Sequence, residues 1–130
     1  MIRRFAAAIL LSAALLAAPA VGAERKKGGG LTFVQMPPLA AIAFRPDGRR
    51  GVLSVETGLD VKDDALRARA QALTPRLRDA YVTAVQSYAR TLGPGVAPDA
   101  DRLSVQLQRE TDRVLGKPGA KLLLGTILVN

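Results

Sequence analysis

The sequence predicts an α+β domain in which two to three helices pack on one face of an antiparallel sheet of three to four strands. Two observations predict this class. Apolar and polar residues alternate strictly between residues 53 and 61, which is typical of a strand with one buried and one wet face. Apolar residues recur at steps of three and four between residues 74 and 92, which indicates an amphipathic helix. Because a sheet with one wet face is usually antiparallel, we expect the helices on its other face, in the order β-β-α-α-β.

The composition argues against most kinds of enzyme. The chain of 130 residues has the length of one domain, and it contains no Cys, no His and no Trp. The commonest general bases, nucleophiles and transition-metal ligands are therefore missing, and we expect neither catalysis nor a cofactor. The formal net charge is +8, of which Arg3 and Arg4 contribute two, so +6 remains past Ala23. This balance favours acidic partners or anionic membrane surfaces.

Nucleic acid is not an expected partner, although the chain is basic. The arginines are spread along the predicted helices rather than gathered in one patch. Tyr81 and Tyr88 belong to the apolar stripe of a helix, so they are assigned to the core and not to base stacking.

The first 23 residues have the layout of an export signal. Residues 1–4 are short and positive, residues 5–18 are apolar, and residues 21–23 are small. We therefore expect a secretory signal peptide that is cleaved after Ala23, with an uncleaved inner-membrane anchor as the alternative, since residues 5–23 carry no charge. In both cases the rest of the chain faces the periplasm.

Residues 24–30 form a basic, glycine-rich linker between the leader and the domain at 31–130. Three successive glycines make this linker flexible. Arg25, Lys26 and Lys27 precede them and are a candidate contact with the anionic head groups of the inner membrane. The alternative is that these three residues belong to a solvated tail.

The domain opens with strands that are punctuated by proline and glycine. Residues 31–34 are apolar, and residues 35–38 end in two prolines, which predicts an extended edge or a lead-in. Residues 39–44 read as the first strand. Residues 45–48 have the sequence Arg-Pro-Asp-Gly, which predicts a turn and joins this strand to the alternating one at 53–61 as a hairpin.

The first helix begins at Asp63-Asp64, where carboxylates favour the positive end of the helix dipole. Its apolar stripe stays in phase with Leu77 of the core helix. The two helices therefore form either one rod bent at Pro75 or two helices with a tight break, in which Thr74 caps the second. The stripe of the core helix contains seven apolar residues: Leu77, Ala80, Tyr81, Ala84, Val85, Tyr88 and Leu92.

A further helix is predicted between Asp99 and Gly116, which supply its cap and its stop. Its apolar side contains Leu103, Leu107, Thr111, Val114 and Leu115. Arg109 and Asp112 lie three residues apart on its wet side, at the spacing of a helical ion pair.

Residues 120–130 form the last strand, and it shows little alternation. A strand that is apolar on both faces is expected at the centre of a sheet, covered on both sides. This conflicts with the wet outer face of the strand at 53–61. We therefore expect either that residues 31–38 fold over the outer face of the last strand or that a second copy of the chain covers it, as a homo-oligomer.

Asp60, Asp63 and Asp64 are the one acidic cluster whose spacing suggests chemistry. They could form a carboxylate pair or a weak metal site. A strand-to-helix junction explains the same residues without a metal, because carboxylates favour a helix start, and this is the interpretation that we favour.

This order of elements, with four local signatures, resembles the periplasmic domain of the FliL family of flagellar basal-body-associated proteins over about residues 33–130. The signatures are Met36-Pro37-Pro38-Leu39 before the first strand, residues 52–61, Pro75-Arg76-Leu77-Arg78-Asp79-Ala80 at the head of the core helix, and the terminal Thr126-Ile127-Leu128-Val129-Asn130.

The resemblance implies a non-enzymatic accessory protein that sits beside the flagellar stator, and a fold similar to that of stomatin-type membrane proteins. Arg76, Arg78 and Asp79 are then the candidate contacts with a stator or basal-body partner or between subunits. The alternative for these side chains is dipole and solubility chemistry at the start of a helix. The alternative for the whole chain is a periplasmic interaction or ligand-binding domain with no role in motility.

Overall fold

The computed structural model describes residues 30–130, so the leader, its cleavage position and the basic trio Arg25–Lys27 lie outside the described residues. Three helices and four strands make up this part. They are β1 (Phe33–Gln35), β2 (Leu39–Phe44), β3 (Arg50–Val61), α1 (Asp64–Ala72), α2 (Thr74–Thr91), α3 (Ala100–Leu115) and β4 (Ala120–Val129). Within residues 30–130, none of the helices has the length and apolar character needed to cross a bilayer.

The long strand β3 is the centre of the sheet, and all three of its partners run antiparallel to it. The strand β4 pairs with it from Leu53 to Val61 along one edge. The strands β2 and β1 pair with residues 50–55 and 58–60 and therefore share the other edge, end to end. The predicted α+β class with an antiparallel sheet of three to four strands is thus confirmed, with β1 as the short extra strand that precedes the predicted hairpin.

The predicted hairpin turn is confirmed between β2 and β3. The backbone N–H of Arg45 donates to the carbonyl of Arg49 at 2.8 Å, and that of Gly48 donates to the carbonyl of Arg45 at 2.9 Å. Gly48 has φ of 77°, a left-handed conformation that costs a residue without a Cβ little. The Asp47 carboxylate accepts the N–H of Arg49 at 2.9 Å, as turn aspartates commonly do.

The expectation that residues 120–130 form a central strand is wrong, because among the strands of residues 30–130 β4 pairs with β3 alone and lies at an edge. Its continuous apolar run has another cause. The register shifts between Val55 and Thr57, so the two pairs Val55–Ile127 and Thr57–Leu124 are separated by one extra residue on β4. This bulge reverses the alternation along β4. Residues 120, 122 and 124 face the helices before it, and residues 127 and 129 face them after it.

The expectation that residues 31–38 fold over the outer face of β4 is wrong, whereas cover by a second copy of the chain stays a prediction. The segment at 33–35 joins the opposite edge of β3 as a strand instead of crossing β4. The ring of Phe33 reaches onto the outer face of the sheet, where it lies so close to Gly58 that a Cβ at that position would overlap it. Because the bulge turns most apolar residues of β4 inward, Leu123 and Leu128 are the large apolar residues left on its outer side.

The core lies between the sheet and the helices. The helix α2 packs on β2, whose inward residues Ala41 and Ala43 are small enough to let it approach closely, and α3 packs on β4. The inward side chains of β3 fill the space between these two helices. Four apolar residues of the alternating stretch in β3 are buried as predicted, although β2 makes much of the contact with α2. They are Leu53, Val55, Leu59 and Val61.

The two N-terminal helices meet in a tight break at Leu73, one of the two predicted alternatives. The backbone N–H of Leu73 still donates to Arg69, and that of Leu77 donates to Leu73, both at 2.9 Å. Pro75 lies in the first turn of α2, where it removes no needed donor. Thr74 does not act as the predicted cap, since its hydroxyl donates backward to the Ala70 carbonyl at 3.1 Å.

The ends of α3 are fixed as predicted. The Asp99 carboxylate accepts the N–H of Arg102 at 3.0 Å, and Gly116 ends the helix in the left-handed region. Tyr88 adds a contact that periodicity does not reveal. Its buried hydroxyl accepts the backbone N–H of Asp99 at 2.6 Å, which ties the start of α3 to the end of α2.

A buried hydroxyl pair joins the middles of α2 and α3. The Thr111 hydroxyl donates to the Leu107 carbonyl at 2.8 Å, so its one proton is used there. The short hydrogen bond between Tyr81 and Thr111 is therefore donated by the tyrosine. Desolvation by burial raises the pKa of Tyr81 to about 12.

We expect Tyr81 to make folding stability depend on pH in the alkaline range. The pKa of Tyr81 in the folded state lies above its ordinary value of 10.0. The contribution of Tyr81 to the free energy of unfolding is therefore fully present below pH 10 and is lost as pH rises through 12. The loss should be about 2–3 kcal/mol. Urea unfolding of the wild type and of Tyr81→Phe across this range measures it. Plots of unfolding free energy against pH for the two proteins should converge as pH rises. Parallel plots would show that Tyr81 does not have a raised pKa in the folded state.

Candidate partner-binding groove

The structure places the three predicted contact residues at the start of α2, and all three are exposed. It brings two of them together. Arg76 and Asp79 line an open groove between α2 and α3, whereas Arg78 does not line it. The predicted cluster is therefore divided between two sides of one helix.

The groove has a volume of about 670 Å³ and lies between the two longest helices of residues 30–130. Its α2 side contains four small residues that share one face of the helix. They are Ala80, Thr83, Ala84 and Ser87. Small side chains leave room for a ligand to approach the helix backbone, so the groove suits an extended or helical segment of another protein.

The α3 side supplies most of the charge. Arg113 donates to the Glu110 carboxylate from Nη2 at 2.5 Å and from Nε at 2.9 Å. The predicted pair between Arg109 and Asp112 is not formed within residues 30–130, and Asp112 accepts from the Gln108 amide at 3.0 Å. Arg109 lines the groove together with Arg113.

The groove therefore presents more positive than negative charge. Three arginines and two carboxylates line it, and one of those arginines is already paired with Glu110. Within residues 30–130, Arg76, Arg109 and Asp79 form no ion pair. Two guanidinium groups on opposite walls are thus free to bind carboxylates, which they can contact through two parallel hydrogen bonds each.

The acidic cluster that could have been a metal site is used in folding. The Asp63 carboxylate accepts the N–H of Leu66 at 2.8 Å and caps α1. Asp64 pairs with Arg67 at 2.6 Å, and Asp60 accepts from the Thr32 hydroxyl at 2.7 Å. Each carboxylate has its own partner, as expected for a strand-to-helix junction.

Reasoning from the sequence missed the α3 wall of the groove. The signal was present as a second stripe at helical spacing, through residues 106, 109, 110, 113 and 114. What the sequence does not show is that this stripe meets the one on α2.

Comparison of the chain with protein-family models and with curated proteins found no match.

Proposed function

We propose that this chain is a non-enzymatic accessory protein of the bacterial cell envelope, which binds an acidic segment of a partner protein in the groove between α2 and α3. The partner that we propose is a stator or basal-body protein of the flagellar motor. The location that fits this role is the periplasm, reached by a cleaved signal or kept at the inner membrane by an anchor.

The groove is the observation that supports a binding role most directly. Its charged residues are not needed to hold the helices together, since α2 and α3 are joined by the buried Tyr81–Thr111 pair and by apolar contacts. Unpaired guanidinium groups on both walls favour the binding of a carboxylate-rich segment along the groove. Such complementarity contributes mainly to specificity and to the association rate.

The flagellar partner is proposed from the resemblance to the FliL family. Its signatures fall at the points that define the fold. Residues 36–39 lead into β2, residues 52–61 form most of β3, and residues 75–80 begin α2 and supply Arg76 and Asp79 to the groove. A partner contact at the start of α2 would explain why the signature at residues 75–80 contains charged residues that line the groove.

Charge reversal at Arg76 tests the groove. We expect Arg76→Glu to weaken partner binding about tenfold, because it replaces an attraction to the partner's carboxylates with a repulsion. In a bacterium carrying the gene, swimming in soft agar should fall to the level of the gene deletion. Photo-crosslinking from position 83 should lose its stator product in the same variant.

Arg78→Glu is the matched control, because it makes the same charge change on the same exposed helix start but outside the groove. We expect swimming and crosslinking close to the wild type. Equal losses in both variants would show that the net charge of the helix start matters and not the groove. Equal melting temperatures of the two variants exclude unfolding as the cause.

A periplasmic interaction domain without a motility role is the second candidate, since the groove would serve any acidic partner equally well. Deletion of the gene separates the two. Normal swimming in the deletion strain, with a groove crosslink to another envelope protein, would favour this second candidate.

Self-association of the chain remains a prediction alongside both candidates. Leu123 and Leu128 on the outer face of β4 are its proposed contacts. Light scattering that shows only monomer would contradict it.

A further inference from the structure

The β2–β3 hairpin exposes large apolar side chains at its turn end. Ile42 is 61% exposed, and Phe44 and Val52 are each 45% exposed. Ile42 and Val52 are directly paired across the two strands, and Phe44 follows Ile42 by two residues, so all three project from the outer face of the sheet. We call residues 42–52 the hairpin tip.

The same hairpin tip carries three exposed arginines, Arg45, Arg49 and Arg50. Among the residues that the structure describes, none of them forms an ion pair. Asp47 is the single acidic residue of the tip, and its carboxylate already accepts the backbone N–H of Arg49. With three arginines and one aspartate, the tip combines a net positive charge with an apolar surface that the fold leaves open to solvent.

The neighbouring loop continues this surface without adding negative charge. Pro46 in the turn abuts Gly95, on which a Cβ would lie 3.5 Å from the proline. The next residue, Val96, is 56% exposed, and residues 93–98 carry no charged side chain. One end of the domain thus presents apolar side chains from two segments beside three arginines.

We propose that the hairpin tip docks the domain on an anionic phospholipid bilayer. The arginines bind the lipid phosphates, for which the guanidinium fork is well suited, and Ile42 and Phe44 enter the boundary between head groups and acyl chains. Basic residues near such a surface contribute attraction that falls off within a Debye length, so binding weakens with salt. This contact is independent of the groove and of the basic trio at 25–27.

A second copy of the chain fits the tip less well than a bilayer does. In a two-fold symmetric dimer the same patch meets itself. The arginines of both tips would then approach one another around the apolar contact, and like charges oppose such packing. A bilayer that contains anionic lipid supplies the opposite charge and an apolar phase together.

A fluorophore at the tip tests this on the full chain, which contains no natural cysteine. An environment-sensitive dye is attached at Phe44→Cys, and at Gln86→Cys on the exposed side of α2 as the control. With vesicles of phosphatidylcholine and about 30% phosphatidylglycerol, the emission at position 44 should shift to the blue and that at position 86 should not. Because the readout is local, membrane binding by the leader does not imitate it.

The arginines are tested in the labelled protein by the triple variant Arg45→Gln, Arg49→Gln and Arg50→Gln. We expect loss of the shift, and an unchanged circular dichroism melt shows that the exposed turn still folds. An equal shift with phosphatidylcholine alone, or equal shifts at positions 44 and 86, would overturn the proposal. Absence of any shift, with arginine-dependent binding to an acidic protein instead, would overturn it in favour of a protein partner.

Discussion

Replacing Tyr81 with aspartate should leave the domain unfolded in water at room temperature. The ring is fully buried between the helices and the sheet, and its hydroxyl bonds Thr111. Aspartate removes the aromatic packing, worth about 3–5 kcal/mol, and places a carboxylate where it has no cationic partner, at a further cost of several kcal/mol. A domain of this size is stable by only about 5–15 kcal/mol, so the sum removes most or all of its stability.

Gln86→Asp is the matched control, because it introduces the same carboxylate on the same helix at an exposed position. Its far-ultraviolet circular dichroism and its urea midpoint should stay close to those of the wild type, since exposed substitutions seldom change stability by more than about 0.5 kcal/mol. Leu77→Asp, at another buried position of the stripe, should unfold the domain as Tyr81→Asp does. A folded Tyr81→Asp with a cooperative melt would show that the stripe of α2 is not the core contact.

The parts of the fold that follow local rules could be predicted from the sequence. Helix starts at Asp63 and Asp99 follow from side chains that accept backbone N–H groups, and the turn before Gly48 follows from backbone geometry. Apolar residues that recur every second residue locate β3 correctly, and apolar residues that recur every three to four residues locate α2. Each spacing fixes which side chains share a face. None of these inferences needs knowledge of a distant residue.

The position of β4 could not be predicted in this way. A bulge changes which residues face the core, yet it leaves the sequence looking like a strand buried on both faces. Gly125 near the register shift is a signal of such irregularity, since glycine in a strand often marks a bulge. It can be interpreted only once the partner strand is known.

Only one wall of the candidate site could be predicted from the sequence, for a similar reason. The charged start of α2 is visible in the sequence, and two of its three residues line the groove. The second wall depends on how α3 lies against α2. That packing is fixed by buried contacts between residues far apart in the chain, of which Tyr81 with Thr111 is one. No local pattern encodes such a pair.

Replacing Gln108 with leucine should destabilise the domain by about 2–4 kcal/mol, although this residue belongs to the polar side of α3. Its side-chain amide forms hydrogen bonds with the backbone at the free edge of β4, as a neighbouring strand would. Nε2 donates to the Ala120 carbonyl at 2.8 Å, and Oε1 accepts the N–H of Leu122 at 2.8 Å. Leucine leaves both backbone groups unpaired beside buried side chains, and each unpaired group costs about 1–3 kcal/mol.

Gln106→Leu is the matched control, because it makes the same substitution two positions earlier on α3, where the glutamine side chain has no hydrogen bond within the described residues. Urea midpoints at constant m-value compare the two variants, and Gln106→Leu should stay near the wild type. Fast hydrogen exchange at Leu122 in Gln108→Leu would locate the loss at the strand edge, whereas unchanged protection there would refute this role for the glutamine.

Gln108→Glu separates the two bonds that the amide makes to β4, because a carboxylate can accept from Leu122 but cannot donate to the Ala120 carbonyl. The introduced carboxylate also faces that of Asp112, which accepts from the Gln108 amide at 3.0 Å in the wild type. The like charges raise the pKa of the introduced group in the folded state, so its penalty is present above that pKa and disappears as pH falls through it. Mild acidification should therefore restore part of the stability of Gln108→Glu relative to the wild type, and a difference in urea midpoint that does not change with pH would contradict this arrangement of the three groups.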